Sequence, residues 1–417
     1  MNAALALTLM AFWRTRARAA RLNTRARLLE WQSRQLQAFL RKTAPKAAAF
    51  AHLSGHPLAD FPEMDKADLM NAFASFNSAS IAADAAWQAF EASGQIGPYA
   101  VGASTGTSGN RGLYLVSDAE RYLWLGTLLA KALPGLLTAR HRVAVMLPRG
   151  SRLYDAANES GRLSLKFFDL TAGLAPQLAE VAAFRPDVLV APPHALLALA
   201  RADLPLAPRE VFSGAEVLDP ADRAEIERRF DLTVREIYMA TEGLFGVACA
   251  HGTLHLCEDC VAFEWQAAGG LSAPLITDFT RRTQMMIRYR MNDLLRLSDT
   301  PCACGSPLQA VSEIVGRRDD AFVFPGPVTV TPDVIRNAVV GAARTITDFR
   351  AVQTGPATVM LTLPPHLVTD LPAAQRALKD LFARLGAAPE VRASTAPLAP
   401  PCGGKLRRVI RNREAGP

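Results

Sequence analysis

The 417-residue chain has no apolar run that approaches the roughly 20 residues needed to cross a bilayer. Its first residues are largely apolar, but the run ends at Arg14 and no basic residue precedes it. Without a basic leader or a small-residue cleavage pattern, it does not read as a signal peptide, and the cytoplasm is the expected location. Internal repeats and long low-complexity segments are also missing, which excludes a solenoid or an array. A net basic excess is missing from the body of the chain. The net charge is +7, yet residues 14–46 alone carry ten Lys and Arg against Glu30, which leaves the remainder slightly acidic. That argues against a dedicated nucleic-acid binder.

What is present is a globular composition, with 50% hydrophobic and 20% charged residues. The most informative stretch is residues 104–112, STGTSGNRG, rich in glycine and hydroxyls and without an acid. Glycines let successive N–H groups turn into one concavity, and hydroxyls add donors, so the loop can hold a phosphate chain; an ordinary flexible connection is the other reading. The loop lacks the G-K-[ST] ending of a Walker sequence, so it is not an ordinary P-loop. A short apolar run follows at 113–116, then a helix start at which Ser117 can cap and Glu120 can reach back. Residues 14–46 read as an amphipathic helix with Leu22, Leu29 and Leu36 seven apart and Phe39 and Leu40 on a nearby face. Its basic surface suits either plain solvation or an acidic partner such as a carrier protein, a membrane surface or RNA.

Farther on, apolar runs at 142–147, 187–191, 210–213 and 234–238 alternate with amphipathic segments. One of these segments opens with Asp219 as N-cap and Pro220 at the first helical position. This alternation predicts an α/β domain with a largely parallel sheet, whose ligands sit beyond the carboxyl ends of the strands. A break falls at GRRDD, residues 316–320. Beyond it come a helix start at Thr331-Pro332-Asp333, a strand at 357–363 and a helix at 373–385. The predicted organisation is a large domain over 1–315 with a helical region at 14–95, a hinge at 316–320, and a small mobile α+β domain over 321–417.

Five further motifs follow the loop: Ser213-Gly214-Ala215-Glu216, Tyr238-Met239-Ala240-Thr241-Glu242-Gly243, Arg288-Tyr289-Arg290-Met291-Asn292-Asp293, Gly316-Arg317-Arg318-Asp319-Asp320, and Gly403-Gly404-Lys405-Leu406-Arg407-Arg408. A hydroxyl beside a carboxylate at a strand end, as in Thr241-Glu242, can hold a phosphate and its magnesium ion. Taken in order, the six motifs resemble the adenylate-forming superfamily. The likeness is greatest to the phenylacetate–CoA ligase-like branch and its coenzyme-F synthetase-related members, and it extends over residues 28–411.

The resemblance implies a role for each motif. Ser104 and the loop residues Thr105, Gly106, Thr107, Ser108 and Gly109 would hold the β- and γ-phosphates of ATP. Gly214, Ala215 and Glu216 would border the adenine together with Tyr238. Thr241 would contact the α-phosphate and Glu242 would bind Mg2+. Asp293 would accept hydrogen bonds from the ribose, and Arg317 would touch the nucleotide. Asp319 would be the pivot of the small domain, and Lys405 would bridge the carboxylate and the α-phosphate. Family members commonly carry Lys-Pro after the last loop glycine, where this chain has Asn110-Arg111; either Arg111 replaces the lost charge one position later or the charge is dispensable.

The same branch has a Cys-x5-His and Cys-x-Cys pattern that can bind structural zinc. Here Cys249 and His255 flank a turn at Gly252, and Cys302-Ala303-Cys304-Gly305 forms a tight two-thiol turn. The expected Zn2+ set is Cys249, His255, Cys302 and Cys304, with Cys257 of the Cys257-x-x-Cys260 pair as the first alternative and free thiols as the remaining reading. Met146, Phe167 and Phe168 read either as an acyl pocket or as plain core, and residues 149–155 as substrate-side. His141 and His194 read more readily as packing or surface residues than as catalysts.

The implied activity is ATP-dependent activation of an aryl or other small carboxylic acid to an acyl-AMP, then transfer to a thiol, either coenzyme A or the phosphopantetheine of an acyl carrier protein. Two alternatives stay open. One is adenylyl transfer to a hydroxyl of a cofactor-like substrate; the other is a zinc-stabilised scaffold without catalysis.

Overall fold

Five short strands lie parallel, in the order Leu163–Asp169, His141–Leu147, Val188–Ala191, Glu210–Gly214, Val234–Ala240. Their continuous apolar runs follow from burial on both faces. Val143 and Val145 point into a core with Phe12, Leu125 and Leu129, while Ala144 and Met146 point the other way, into Val181, Leu196, Leu199 and Ile226. Successive side chains of a strand alternate between faces, so a strand covered on both sides can spare neither set. The crossover helices are Ala175–Phe184, Pro193–Arg201 and Pro220–Phe230. The last starts as its Asp-Pro pair predicts, with the Asp219 carboxylate accepting from the Ala221 N–H at 3.1 Å. The sheet then turns antiparallel through Gly243–Ala248, Leu254–Leu256 and the start of Ala310–Arg317.

The computed structural model describes residues 3–104, 111–147, 163–326, 328–398 and 407–412. It divides into two units. The first comprises 1–267, 274–291 and 297–312, and the second comprises 268–273, 292–296 and 313–417. The second unit has its own four-stranded sheet, in the order Glu390–Thr395, Thr358–Leu363, Arg350–Gly355, Val409–Arg411. Its own core brings Phe322, Phe324 and Phe349 onto Ile335, Val339 and Phe382. The helices Pro332–Gly341 and Leu371–Arg384 supply the covering faces.

At the amino end the structure corrects one reading. The single amphipathic helix expected over 14–46 is two helices, Ala3–Arg21 and Arg25–Lys42. The chain breaks at Thr24, whose hydroxyl caps the second helix by accepting from the Arg27 N–H. A break removes the common axis on which a seven-residue spacing would matter. Leu29 is accordingly exposed, and the buried positions are Leu28, Phe39 and Leu40. The opening apolar residues are the packing face of the first helix: Ala4, Thr8, Ala11 and Phe12 are buried. No helix of the described residues is long and apolar enough to cross a membrane.

Candidate functional site

The glycine- and hydroxyl-rich loop connects two antiparallel strands, Tyr99–Ala103 and Leu113–Ser117. Its neck is closed by two bonds: the Ser104 N–H donates to the Gly112 carbonyl at 2.8 Å, and the Gly112 N–H donates to the Ser104 hydroxyl at 2.8 Å. Lys66 reaches the same hydroxyl, its ammonium 3.0 Å from Ser104 Oγ. The Arg111 guanidinium lies over the rings of Trp87 and Phe90, 5.2 and 5.4 Å from their centroids. Thr105, Gly106, Thr107, Ser108 and Gly109 lie outside the described residues, as do Asn110 and residues 149–155.

The exit strand is anchored through the helix that follows it. Ser117 and Glu120 form the capping box that their spacing predicts. Glu120 also accepts from the N–H groups of Arg282, at 2.6 Å, and Thr283, at 2.9 Å. Burial works against its charge, but the bonds from Ser117 and Thr283 prevail and hold its pKa below the usual range. The Leu115 N–H donates to Gln284 Oε1 at 3.0 Å. The loop is thereby tied to the segment around 278–291, which also builds the next part of the site.

Thr241 and Glu242 form the turn at the carboxyl end of Val234–Ala240. Thr241 Oγ1 donates to Glu242 Oε2 at 2.8 Å, and the Tyr289 hydroxyl donates to Glu242 Oε1 at 3.1 Å. Behind them Arg281 Nη2 donates to the carbonyls of Thr241, at 3.2 Å, and Glu242, at 2.7 Å. A guanidinium thus satisfies turn carbonyls that no strand pairs. Arg281 also sits 3.8 Å from Asp278, a buried carboxyl whose pKa burial pushes up although Arg281 opposes the shift. The result is a carboxylate with both oxygens oriented, at the strand ends where parallel sheets bind ligands.

Gly214 ends its strand, and Ala215 takes a left-handed conformation with φ 68°. The turn sends Glu216 inward to His194, with Oε2 2.9 Å from Nδ1. Tyr238 is buried, its ring 5.3 Å from that of Phe245. Met146 and Phe168 are core residues, and Phe167 packs against the core of the opposite sheet face.

In the second unit Asp293 opens the strand Asp293–Leu297, and Arg317 ends Ala310–Arg317. Asp319 is exposed and bracketed by Asn292, which donates to its carboxylate at 2.9 Å and accepts from its N–H at 3.1 Å. The adjacent Asp320 is buried and paired with Arg407. Lys405 lies outside the described residues.

Cys249, His255, Cys302 and Cys304 converge, their ligand atoms all within 4.8 Å of one another. The first two are brought together by a hairpin turn in which the Gly252 N–H donates to the Cys249 carbonyl at 3.0 Å. Gly252 has φ 80°, and a Cβ there would lie 2.7 Å from Thr233, so the turn calls for glycine. The Gly305 N–H donates to the Cys302 carbonyl at 3.0 Å and closes the two-thiol turn. Cys249 Sγ is 3.8 Å from Cys302 Sγ, and Cys304 Sγ is 3.3 Å from His255 Nε2. Thiolates about 2.3 Å from a tetrahedral zinc have sulfur–sulfur edges of about 3.8 Å, which the Cys249–Cys302 separation matches. His255 Nδ1 lies 3.2 Å from the Leu308 carbonyl, which orients the ring so that Nε2 faces the thiols. Burial opposes the Cys302 thiolate, but bonds from the Cys304 N–H, Thr253 and His255 together prevail and hold its pKa down at about 6.

Cys257 and Cys260 lie in a separate buried group. Asp259 forms ion pairs with Lys131 at 2.7 Å and Arg18 at 2.9 Å, and Arg18 Nη2 is 3.4 Å from Cys260 Sγ. Sequence reasoning passed over Lys66, Arg281 and Tyr289 as site residues. Tyr289 stood inside a recognised motif without a role, and no spacing rule connects the other two to the loop or to Glu242.

With this geometry in hand, the class of fold is plain: an α/β fold with a large unit and a small carboxyl-terminal one, shared with solved structures of acyl-CoA and fatty acyl-adenylate ligases. One solved structure that shares it is 2-hydroxyisobutyryl-CoA ligase in the postadenylation state in complex with R3-HIB-AMP. It has a TM-score of 0.65 and 18% identity, over 93% of this chain and 90% of that one. ATP-bound MatB from Rhodopseudomonas palustris aligns with a TM-score of 0.54 and 15% identity, over 75% of this chain and 66% of that one. A fatty acyl-adenylate ligase from a study of the E. coli and L. pneumophila enzymes aligns with a TM-score of 0.53 and 14% identity, over 73% and 67%. No protein-family model matches the chain, and no curated protein matches its sequence.

Proposed function

We propose that the protein activates a small carboxylic acid with ATP, forming an acyl-AMP and pyrophosphate, and passes the acyl group to a thiol. The observation that carries this reading is the Thr241-Glu242 turn, with Tyr289 on the carboxylate and Arg281 behind it, at the ligand-binding end of this fold. A carboxylate is a poor electrophile until its oxygen attacks the α-phosphorus and becomes part of a good leaving group. The site must bring two anions together, so its task is positioning and charge compensation. Glu242 would hold Mg2+, whose charge offsets that of the phosphates. Thr241 would contact the α-phosphate, and Ser104 with the loop would face the β- and γ-phosphates. Gly214, Ala215, Glu216 and Tyr238 would border the adenine, Asp293 and Arg317 the remainder of the nucleotide. Lys405 would approach the reacting oxygens, with Asp319 as pivot.

The acid is an aryl or other small one and the acceptor coenzyme A or a carrier phosphopantetheine, a choice that rests on the motif resemblance to the phenylacetate–CoA ligase-like branch. The Cys249, His255, Cys302 and Cys304 set would hold a structural zinc that pins the hairpin to the segment before residue 312 and takes no part in acyl transfer.

The test is acid-dependent pyrophosphate exchange over aryl, fatty and amino acids, with hydroxylamine as trap. An active acid should yield a hydroxamate, and Glu242→Gln should lower exchange by about a hundredfold or more. Nucleotide transfer without hydroxamate would favour adenylylation of a hydroxyl instead. No exchange with any acid, or full exchange by Glu242→Gln, would refute the proposal.

A further inference from the structure

Residues 104–110 contain no charged side chain, although a nucleoside triphosphate is strongly anionic. Arg111, the one cation in the 104–112 stretch, lies over two aromatic rings. A different cation stands at the neck. Lys66 opens the helix Lys66–Asn71, which Asp65 caps by accepting from the N–H groups of Ala67 and Asp68 at 2.8 and 3.1 Å. Its ammonium donates to Ser104, and its stem crosses Gly112, where an added Cβ would meet Lys66 Cε at 2.6 Å. Glycine at 112 thus leaves the room that the lysine stem occupies.

The same short segment is joined to the Glu242 side of the site. The Met64 N–H donates to the Arg288 carbonyl at 3.0 Å, and the Arg290 N–H to the Met64 carbonyl at 2.7 Å. These bonds flank Tyr289, whose hydroxyl donates to Glu242. The lysine at the loop neck and the tyrosine on the Glu242 carboxylate are therefore held by one strand pairing.

We propose that Lys66 is the phosphate-binding cation of this site, acting on the phosphates beyond the α position; the inference rests on the nucleotide reading above. An ammonium is a compact charge with three donors, the chemistry that phosphate oxygens accept from. The reactant that gains is the triphosphate. A monophosphate reaching only the α position gains little.

Isothermal titration of the full-length protein with MgATP and, separately, with AMP tests this. Lys66→Met keeps an apolar stem over Gly112 and removes the charge. Its ATP affinity should fall by about ten- to hundredfold, as for a lost bond to a charged group, while AMP affinity stays within about twofold. Unchanged ATP affinity, or equal losses for ATP and AMP, overturns the role of Lys66. Wild-type protein that binds no ATP overturns the nucleotide reading itself, and this inference with it. Should Lys66→Met not fold, as judged by circular dichroism, Lys66→Gln carries the same comparison.

Discussion

The two cysteine groups of the large unit share a residue type and little else. Cys249, Cys302 and Cys304 stand with His255 in a partly exposed cluster with metal-like spacing. Cys257 and Cys260 are buried beside Arg18, Lys131 and Asp259. Burial pushes the pKa of Cys260 up to about 11 and that of Cys257 higher still, against the pull of the nearby cations. Asp259 goes the opposite way: burial opposes its charge, but Lys131 and Arg18 hold its pKa down at about 2. Among the described residues, the two-residue gap of Cys257 and Cys260 does not place them in the metal-like cluster. The neighbours decide, because a thiolate needs a cation or hydrogen-bond donors, and in the buried group Asp259 has taken the cations.

The sharpest way to break this contrast is Cys302→Ser or Cys304→Ser. Zinc measured by elemental analysis should fall from about one ion per chain to near none, whereas Cys257→Ser should keep its zinc. Zinc retained in the first pair and lost in the second would reverse the assignment.

The next effect is on stability. Asp259→Ala leaves two largely buried cations, Arg18 and Lys131, without this partner and should cost about 3–5 kcal/mol in urea unfolding. Because the folded-state pKa of Asp259 lies below its unfolded value, its contribution is fully present above about pH 4 and is lost as pH falls toward 2. Urea midpoints should drop over that window in the wild type and drop less in Asp259→Ala. Equal slopes would remove Asp259 as the cause.

The smallest effect concerns reactivity. In metal-free folded protein at pH 8, iodoacetamide should label Cys302, whose pKa is held down at about 6, well before Cys257 and Cys260, which should react only on unfolding; Cys304, pushed up to about 11, should lag behind Cys302. Peptide mapping would read the order, and early labelling of Cys257 would contradict the burial assigned to it.

Much of the fold was legible beforehand. Runs such as RVAVML and DVLVA mark strands covered on both faces, and Asp219-Pro220 and the Ser117–Glu120 box mark helix starts, because these patterns have local physical causes. The amino-terminal helices were read less well. The break at Thr24 is a local capping event, but the burial of Ala4, Thr8 and Phe12 depends on a helix more than a hundred residues away. In the site, the Thr241-Glu242 turn was legible as a hydroxyl beside a carboxylate at a strand end. Its supports were not. Arg281 and Tyr289 reach it from some forty residues on, and Lys66 reaches Ser104 from 38 residues before.

The sequence by itself determined the alternation of strands and helices, the caps, and the order of the motifs, since each depends on residues within a turn or two of one another. Tertiary structure alone decided which thiols meet a histidine and which meet Asp259, that Arg111 lies on aromatic rings, and that Lys66 stands at the neck of the loop. Those outcomes depend on charge, burial and direction at distances that only packing sets.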